Sequence, residues 1–136
     1  MEYQKPDKKN VFKQIFQNIS DSNHGLSIMF RESTTVKRLI PIELIGGILL
    51  GLLFGFVPLE YIILVFLLLI LFTTETLNTA IEEVNDLVTL EENERVRRSK
   101  DIASGSVAVW HLVYVVCAFT FIFCHLAGFQ WWMHIV

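Results

Sequence analysis

Glu75, Asn78, Glu82 and Asp86 stand in a stretch that follows directly on an apolar run. No glycine or proline interrupts residues 75–86. The stretch therefore continues as helix, and at about 100° per residue the four polar side chains fall on one face. Three carboxylates and an amide on one stripe can accept a proton, hold a hard divalent cation through oxygen atoms and order the groups around it. The rise of about 1.5 Å per residue sets Glu82 about 10 Å beyond Glu75 along the axis. A deep carboxylate could then meet a hydroxyl at a bilayer surface while a shallower one holds a metal ion bound to phosphates. Carboxylates this close to hydrocarbon are costly and normally face a bundle interior or a polar cavity, which marks the stripe as functional. A solvated helix extension is the competing reading, and it suits Glu83 and Asn85. It does not suit Glu75, which ends a long uncharged run.

Arg97, Arg98, Lys100, Asp101 and Ser104 form a second polar cluster at the head of the last apolar segment. Lys100 and Ser104 share a helix face, with Asp101 beside them. Placed next to the stripe, this cluster would supply positive charge for phosphates together with hydroxyl and carboxylate groups. Phosphoryl transfer needs mainly positioning and charge neutralisation, which this inventory offers. Arg95, Arg97 and Arg98 also read as a positive anchor on one side of a membrane. No G-x-x-x-x-G-K-[ST] pattern occurs, so any nucleotide site here is not a P-loop. His24, His111, His125 and His134 have no ligand spacing and receive no role.

The elements that must position these groups are membrane helices. With 53% hydrophobic residues against 18% charged, the 136-residue chain is too apolar for a small soluble fold. Its charges gather in residues 1–38 and 75–101. The net charge of -3 and the lack of a basic stripe interleaved with aromatics argue against a nucleic-acid partner. Three spans are expected: residues 44–57 extended back to 39, a second run from 61 to 72 that continues into the stripe, and a third from 102 to 136. Trp110, Trp131 and Trp132 are candidate interfacial anchors of the third. Lys and Arg precede the first span and fill the loop before the third, but are missing from the turn at Pro58. The positive-inside rule then puts the N-terminus and that loop in the cytoplasm, where ATP is available. Phe12, Ile15, Phe16 and Ile19 recur at helical spacing among polar residues, as in an amphipathic helix lying on a membrane surface. The expected organisation is a single all-α membrane domain over 1–136, with a cytoplasmic surface segment over 1–38 and a three-span bundle over 39–136.

Gly47, Gly51 and Gly55 recur every fourth residue and make a smooth ridge for close helix packing. Cys117 and Cys124 lie two turns apart on one helix face, beyond disulfide reach, and read as packing residues. The polar N-terminus has no apolar core of a cleaved signal peptide behind it. Two other function classes stay open on these residues: a proton or cation pathway through aligned carboxylates, and a non-catalytic scaffold built on the glycine ridge. Against the pathway, residues 61–72 offer no polar continuation below Glu75.

The run Glu75-x-x-Asn78-Thr79-Ala80-Ile81-Glu82-x-x-x-Asp86, followed by Lys100-Asp101-x-x-Ser104, resembles the signature of the small bacterial diacylglycerol kinase and undecaprenol kinase family. The resemblance implies a multi-pass protein of the bacterial inner membrane, assembled as a homotrimer with active sites between subunits. It implies transfer of the γ-phosphoryl group of MgATP to a lipid alcohol, giving phosphatidic acid or undecaprenyl phosphate. Carried over by position, Glu75 is the base that takes the proton of the lipid hydroxyl, and Glu82 holds magnesium and phosphates. Asn78 and Asp86 order the site, Asn78 and Ser104 lie near the lipid, and Lys100 and Asp101 contact ATP. Glu32 is the best match to a second metal-binding and ATP-binding Glu, with Glu43 as the alternative. The residues after Glu32, Ser33-Thr34-Thr35-Val36-Lys37, depart from the family's aromatic and Arg pattern. Glu92-Asn93 stands where the family has a nucleotide-contacting Tyr-His, which implies altered nucleotide affinity. The segment 100–105 is somewhat closer to the undecaprenol type.

Overall fold

The structure is a computed structural model that describes residues 11–89, 91 and 93–128. Lys5, Lys8, Lys9, Glu92, Trp131 and Trp132 lie outside the described residues. Among the described residues there are four α-helices and no strand: α1 (Val11–Glu32), α2 (Ile40–Phe54), α3 (Pro58–Val88) and α4 (Glu94–Leu126). A π-helical turn over Thr35–Leu39 leads into α2. The chain divides into two compact units after Glu32.

The first unit contains α1, a helix whose Phe12, Phe16 and Ile19 are exposed. Their spacing leaves an apolar stripe on its surface.

In the second unit, α3 and α4 run antiparallel. Asp86 meets Lys100 near one end of the pair, and Glu60 meets His125 at the other. Between these ends the buried Leu64, Leu68 and Leu71 of α3 interlock with Val107, Tyr114, Ala118 and Phe121 of α4. Spacings of three and four on both helices make this a single seam. The outward residues of both helices are large and apolar, among them Ile62, Phe66, Leu69, Leu112, Phe119 and Phe123. Apolar inside and outside is the pattern of helices solvated by lipid.

Two helices among the described residues, α3 and α4, are long and apolar enough to cross a membrane. The third expected span, α2, has 15 residues, about 22 Å of helix against a hydrocarbon core of about 30 Å. It is short because Gly55, with φ 78°, adopts the left-handed conformation and its N–H closes onto the Gly51 carbonyl. At the other end Pro41 has no N–H to donate to the Lys37 carbonyl, and the widened π turn precedes it. Including that turn, the continuous helical path from Thr35 reaches about 30 Å.

The glycine ridge is corrected in part. Gly47 and Gly51 are buried, and each makes room for a tyrosine: a Cβ at Gly47 would meet the Tyr114 hydroxyl, and one at Gly51 the Tyr61 ring. Tyr114 in turn donates to the Glu43 carbonyl at 2.6 Å. Gly55 belongs to the helix stop, not to the ridge. Gly51→Ala is expected to cost about 1–3 kcal/mol through overpacking, whereas Gly46→Ala, with nothing within 4 Å of its Cβ, should be neutral. Thermal unfolding in detergent checks both, and equal melting points for the two variants would refute the tyrosine-on-glycine packing.

Glu60, beside the proline turn, is drawn into the bundle. Pro58 opens α3 at its first position, which suits a residue lacking an N–H. Glu60 accepts from the Val57 N–H at 2.8 Å and lies 2.9 Å from His125 Nε2. It is fully buried, and the Phe56 ring stacks on His125 with centroids 5.6 Å apart. The histidine thus fastens the end of α4 to the start of α3. His125→Ala is expected to lower stability by about 2 kcal/mol or more, because a buried acidic group loses the ring opposite it. Adding Glu60→Gln should recover part of that loss; a double variant less stable than His125→Ala alone would contradict the pairing.

Candidate functional site

The polar stripe lies on α3, and its exposure grades along the helix. Glu75 and Asn78 are buried at 6% and 7% relative exposure, Glu82 is half-buried and Asp86 exposed. The threonines around Glu75 do not compete for its partners. Thr73, Thr74 and Thr76 each donate to the carbonyl four residues back in the helix. Glu75 is therefore the first group along α3 from the seam that offers polar atoms across the helix surface.

Glu75 has a partner that sequence reasoning missed. The Ser33 hydroxyl donates to Glu75 Oε1 at 2.7 Å, and both side chains are buried. The same Ser33 oxygen accepts from the Val36 N–H at 3.1 Å. In sequence Ser33 figured only as a departure after Glu32. The available signal was a serine directly ahead of the run Thr34-Thr35-Val36, able to accept from the N–H three residues on and so hold a helix entry.

One turn further, Asn78 Nδ2 donates to Glu82 Oε1 at 3.3 Å. The Asn78 side-chain oxygen, Oδ1, is buried and has no hydrogen-bond partner among the described residues. An orphaned amide oxygen beside a carboxylate is a donor set that fits a hard cation. No group of three or more His, Cys, Asp or Glu among the described residues forms a metal cage. Magnesium does not need one, since it keeps several waters and binds through one or two carboxylates plus phosphate oxygens.

At the outer end, Lys100 Nζ donates to Asp86 Oδ1 at 2.5 Å. Ahead of the apolar run that begins at Ile102, this bond and the acidic charges of Asp86, Glu82 and Glu83 hold the Lys100 ammonium above the usual lysine range. Asn85 Nδ2 donates to Ser99 Oγ at 3.2 Å, a second tie between α3 and α4. A cavity of about 570 Å³ opens here, lined by Asp86, Thr89, Asn93, Glu94, Arg97 and Lys100 among others. Its size lies within the usual range for small-molecule sites. Asn93 reaches this cavity with its side-chain oxygen already engaged, capping α4 by accepting from the Arg95 and Val96 N–H groups. Arg97, read from sequence as an anchor, lines the same cavity.

The remaining candidates are not drawn in. Asp101 and Ser104 are exposed on α4, and the Ser104 hydroxyl donates to the Asp101 carbonyl at 3.2 Å. Glu32 belongs to the first unit, where its carboxylate pairs with Arg31 Nε at 3.3 Å. Glu43, the alternative to Glu32, is engaged elsewhere: its Oε1 lies 2.6 Å from His111 Nδ1. His111 and His125 thus face carboxylates within the bundle. Cys117 and Cys124 are free and half-buried.

The family model of prokaryotic diacylglycerol kinase matches residues 20–123, which include the whole stripe and the Lys100 cluster. No curated protein and no solved structure matches the chain.

Proposed function

Since the chain belongs to the prokaryotic diacylglycerol kinase family, a family of lipid kinases, we propose that it transfers the γ-phosphoryl group of MgATP to the hydroxyl of a membrane lipid alcohol, diacylglycerol or undecaprenol. The observation that carries this reading is the graded stripe on α3, from buried Glu75 to exposed Asp86 on Lys100. Glu75 lies about 26 Å along the axis from Pro58, so a helix that starts at one edge of a core about 30 Å thick brings this carboxylate to the other edge. Glu82 and Asp86 project beyond it. A lipid hydroxyl and a water-soluble nucleotide can both reach such a boundary.

In this reading the lipid oxygen attacks the γ-phosphorus, its proton passes to the Glu75 carboxylate, and the bond to the β-phosphate oxygen breaks with its electrons leaving on ADP. Glu82 and the Asn78 side-chain oxygen, Oδ1, would hold magnesium, which neutralises phosphate charge when bound. Lys100, ordered by Asp86, faces the phosphates from α4, and Asn93 and Arg97 sit at the nucleotide cavity. Asp101 and Ser104 occupy a face of α4 that one chain leaves open. A homotrimer with sites between subunits would cover that face and bring Glu32 of another copy into play. The chain would sit in a bacterial inner membrane with three spans, the N-terminus and the α3–α4 loop cytoplasmic, and α1 on the membrane surface.

The ion-pathway alternative gains two polar pairs, Glu43 with His111 and Glu60 with His125. Their histidines lie about 21 Å apart along α4, and the intervening seam is mainly Leu64, Leu68, Ala118 and Phe121. That gap interrupts any relay. Purified protein incubated with MgATP and each lipid alcohol in turn tests the proposal. Phosphorylation of one or both alcohols is expected; ion flux into vesicles without ATP, and no lipid phosphate, would replace it with the pathway.

A further inference from the structure

We infer that Ser33 is a positioning residue for Glu75: its hydroxyl fixes the carboxylate so that the second oxygen, Oε2, is presented to the acceptor hydroxyl. The inference rests on the reading of Glu75 as the base. Ser33 has a single hydroxyl proton, and its oxygen accepts from the Val36 N–H at 3.1 Å through one of its two lone pairs. That one proton is donated to Glu75 Oε1 at 2.7 Å. The Ser33 carbonyl accepts from the Lys37 N–H at 3.2 Å, so backbone and side chain are both held by the π turn. Turns of this kind recur at functional sites, and this one leads directly into α2, with Pro41 in its first turn.

The terminal torsion of a glutamate is broad and roughly two-fold, so a carboxylate without a fixed donor samples many orientations. Burial alone does not choose among them. A proton acceptor must meet its donor within hydrogen-bond reach and alignment, and small displacements from that geometry are costly in rate. Ser33 joins the segment before α2 to the middle of α3, 42 residues away. Any shift of the π turn would thus be felt at the carboxylate.

The test uses the full chain in lipid vesicles with MgATP and the accepted lipid alcohol. Ser33→Ala is expected to lower kcat about 10-fold with the KM for MgATP within about 2-fold, the signature of an interaction that matters in the transition state. Ser33→Thr, which retains a hydroxyl, should restore most of the rate. Ser33→Gly removes the hydroxyl while suiting a helix start, and should match Ser33→Ala even if the alanine variant folds poorly. In a Glu75→Gln background, Ser33→Ala should add no further loss. Full activity of both Ser33→Ala and Ser33→Gly while Glu75→Gln is inactive would overturn this inference alone. So would a Ser33→Thr variant as slow as Ser33→Ala, or a KM that rises as much as kcat falls. Wild-type turnover by Glu75→Gln would instead remove the base, and this inference with it.

Discussion

Glu75→Gln is expected to reduce turnover about 10³-fold, within the range by which a positioned acid or base accelerates proton transfer, while leaving MgATP affinity within about 2-fold. The substitution keeps size and shape, and an amide oxygen can still accept from Ser33. What disappears is the capacity to take the lipid hydroxyl's proton as its oxygen bonds to phosphorus. Replacing a buried carboxylate by an amide also lowers the desolvation cost, so the variant should unfold no more easily than the native chain. Inactivity accompanied by a fall in melting temperature would assign Glu75 a structural role instead. Steady-state kinetics, nucleotide binding and thermal unfolding on the same preparation separate these outcomes.

Glu82→Ala should act on binding rather than on proton transfer. With Mg2+ present, ATP affinity is expected to fall about 100-fold, the scale on which groups that hold or orient a metal contribute. Without Mg2+, the variant and the native chain should bind ATP within about 2-fold of each other. Asn78 presents its amide N–H to Glu82 and leaves its oxygen unpaired beside it. Removing the carboxylate therefore takes away half of the donor set and the group that orients the other half. An equal loss of affinity with and without Mg2+ would show that Glu82 matters through general charge and not through the cation. Isothermal titration with ATP, in magnesium and in chelator, makes the comparison directly.

Much of this site is legible in the chain because a helix converts spacing into direction. The 75, 78, 82, 86 pattern places its side chains on one face whatever surrounds them, and the structure adds the gradient of burial along that face. The apolar seam of α3 and α4 is not readable in this way, because both helices are apolar on their outward faces as well. Nor are long-range pairings. Nothing local to Ser33 announces Glu75, and nothing local to Glu43 or Glu60 announces His111 or His125, since each pair is created only when helices distant in sequence are packed. Glu60 is a case in point: the proline two residues before it starts a helix, and the carboxylate is sealed against α4. The glycine ridge shows a milder form. Spacing identifies a groove at Gly47 and Gly51, but not that two tyrosines fill it.

Acidic groups on α3 that bring a lipid alcohol and MgATP together for transfer should determine where the γ-phosphoryl group ends. That group can be followed with the full chain reconstituted in vesicles containing both diacylglycerol and undecaprenol. ATP labelled at the γ-position should pass its label into phosphatidic acid or undecaprenyl phosphate, the transfer stopping on chelation of magnesium and resuming when it is restored. Label that stays on ATP or appears only as inorganic phosphate, with nucleotide bound and both alcohols present, would rule out transfer to either lipid.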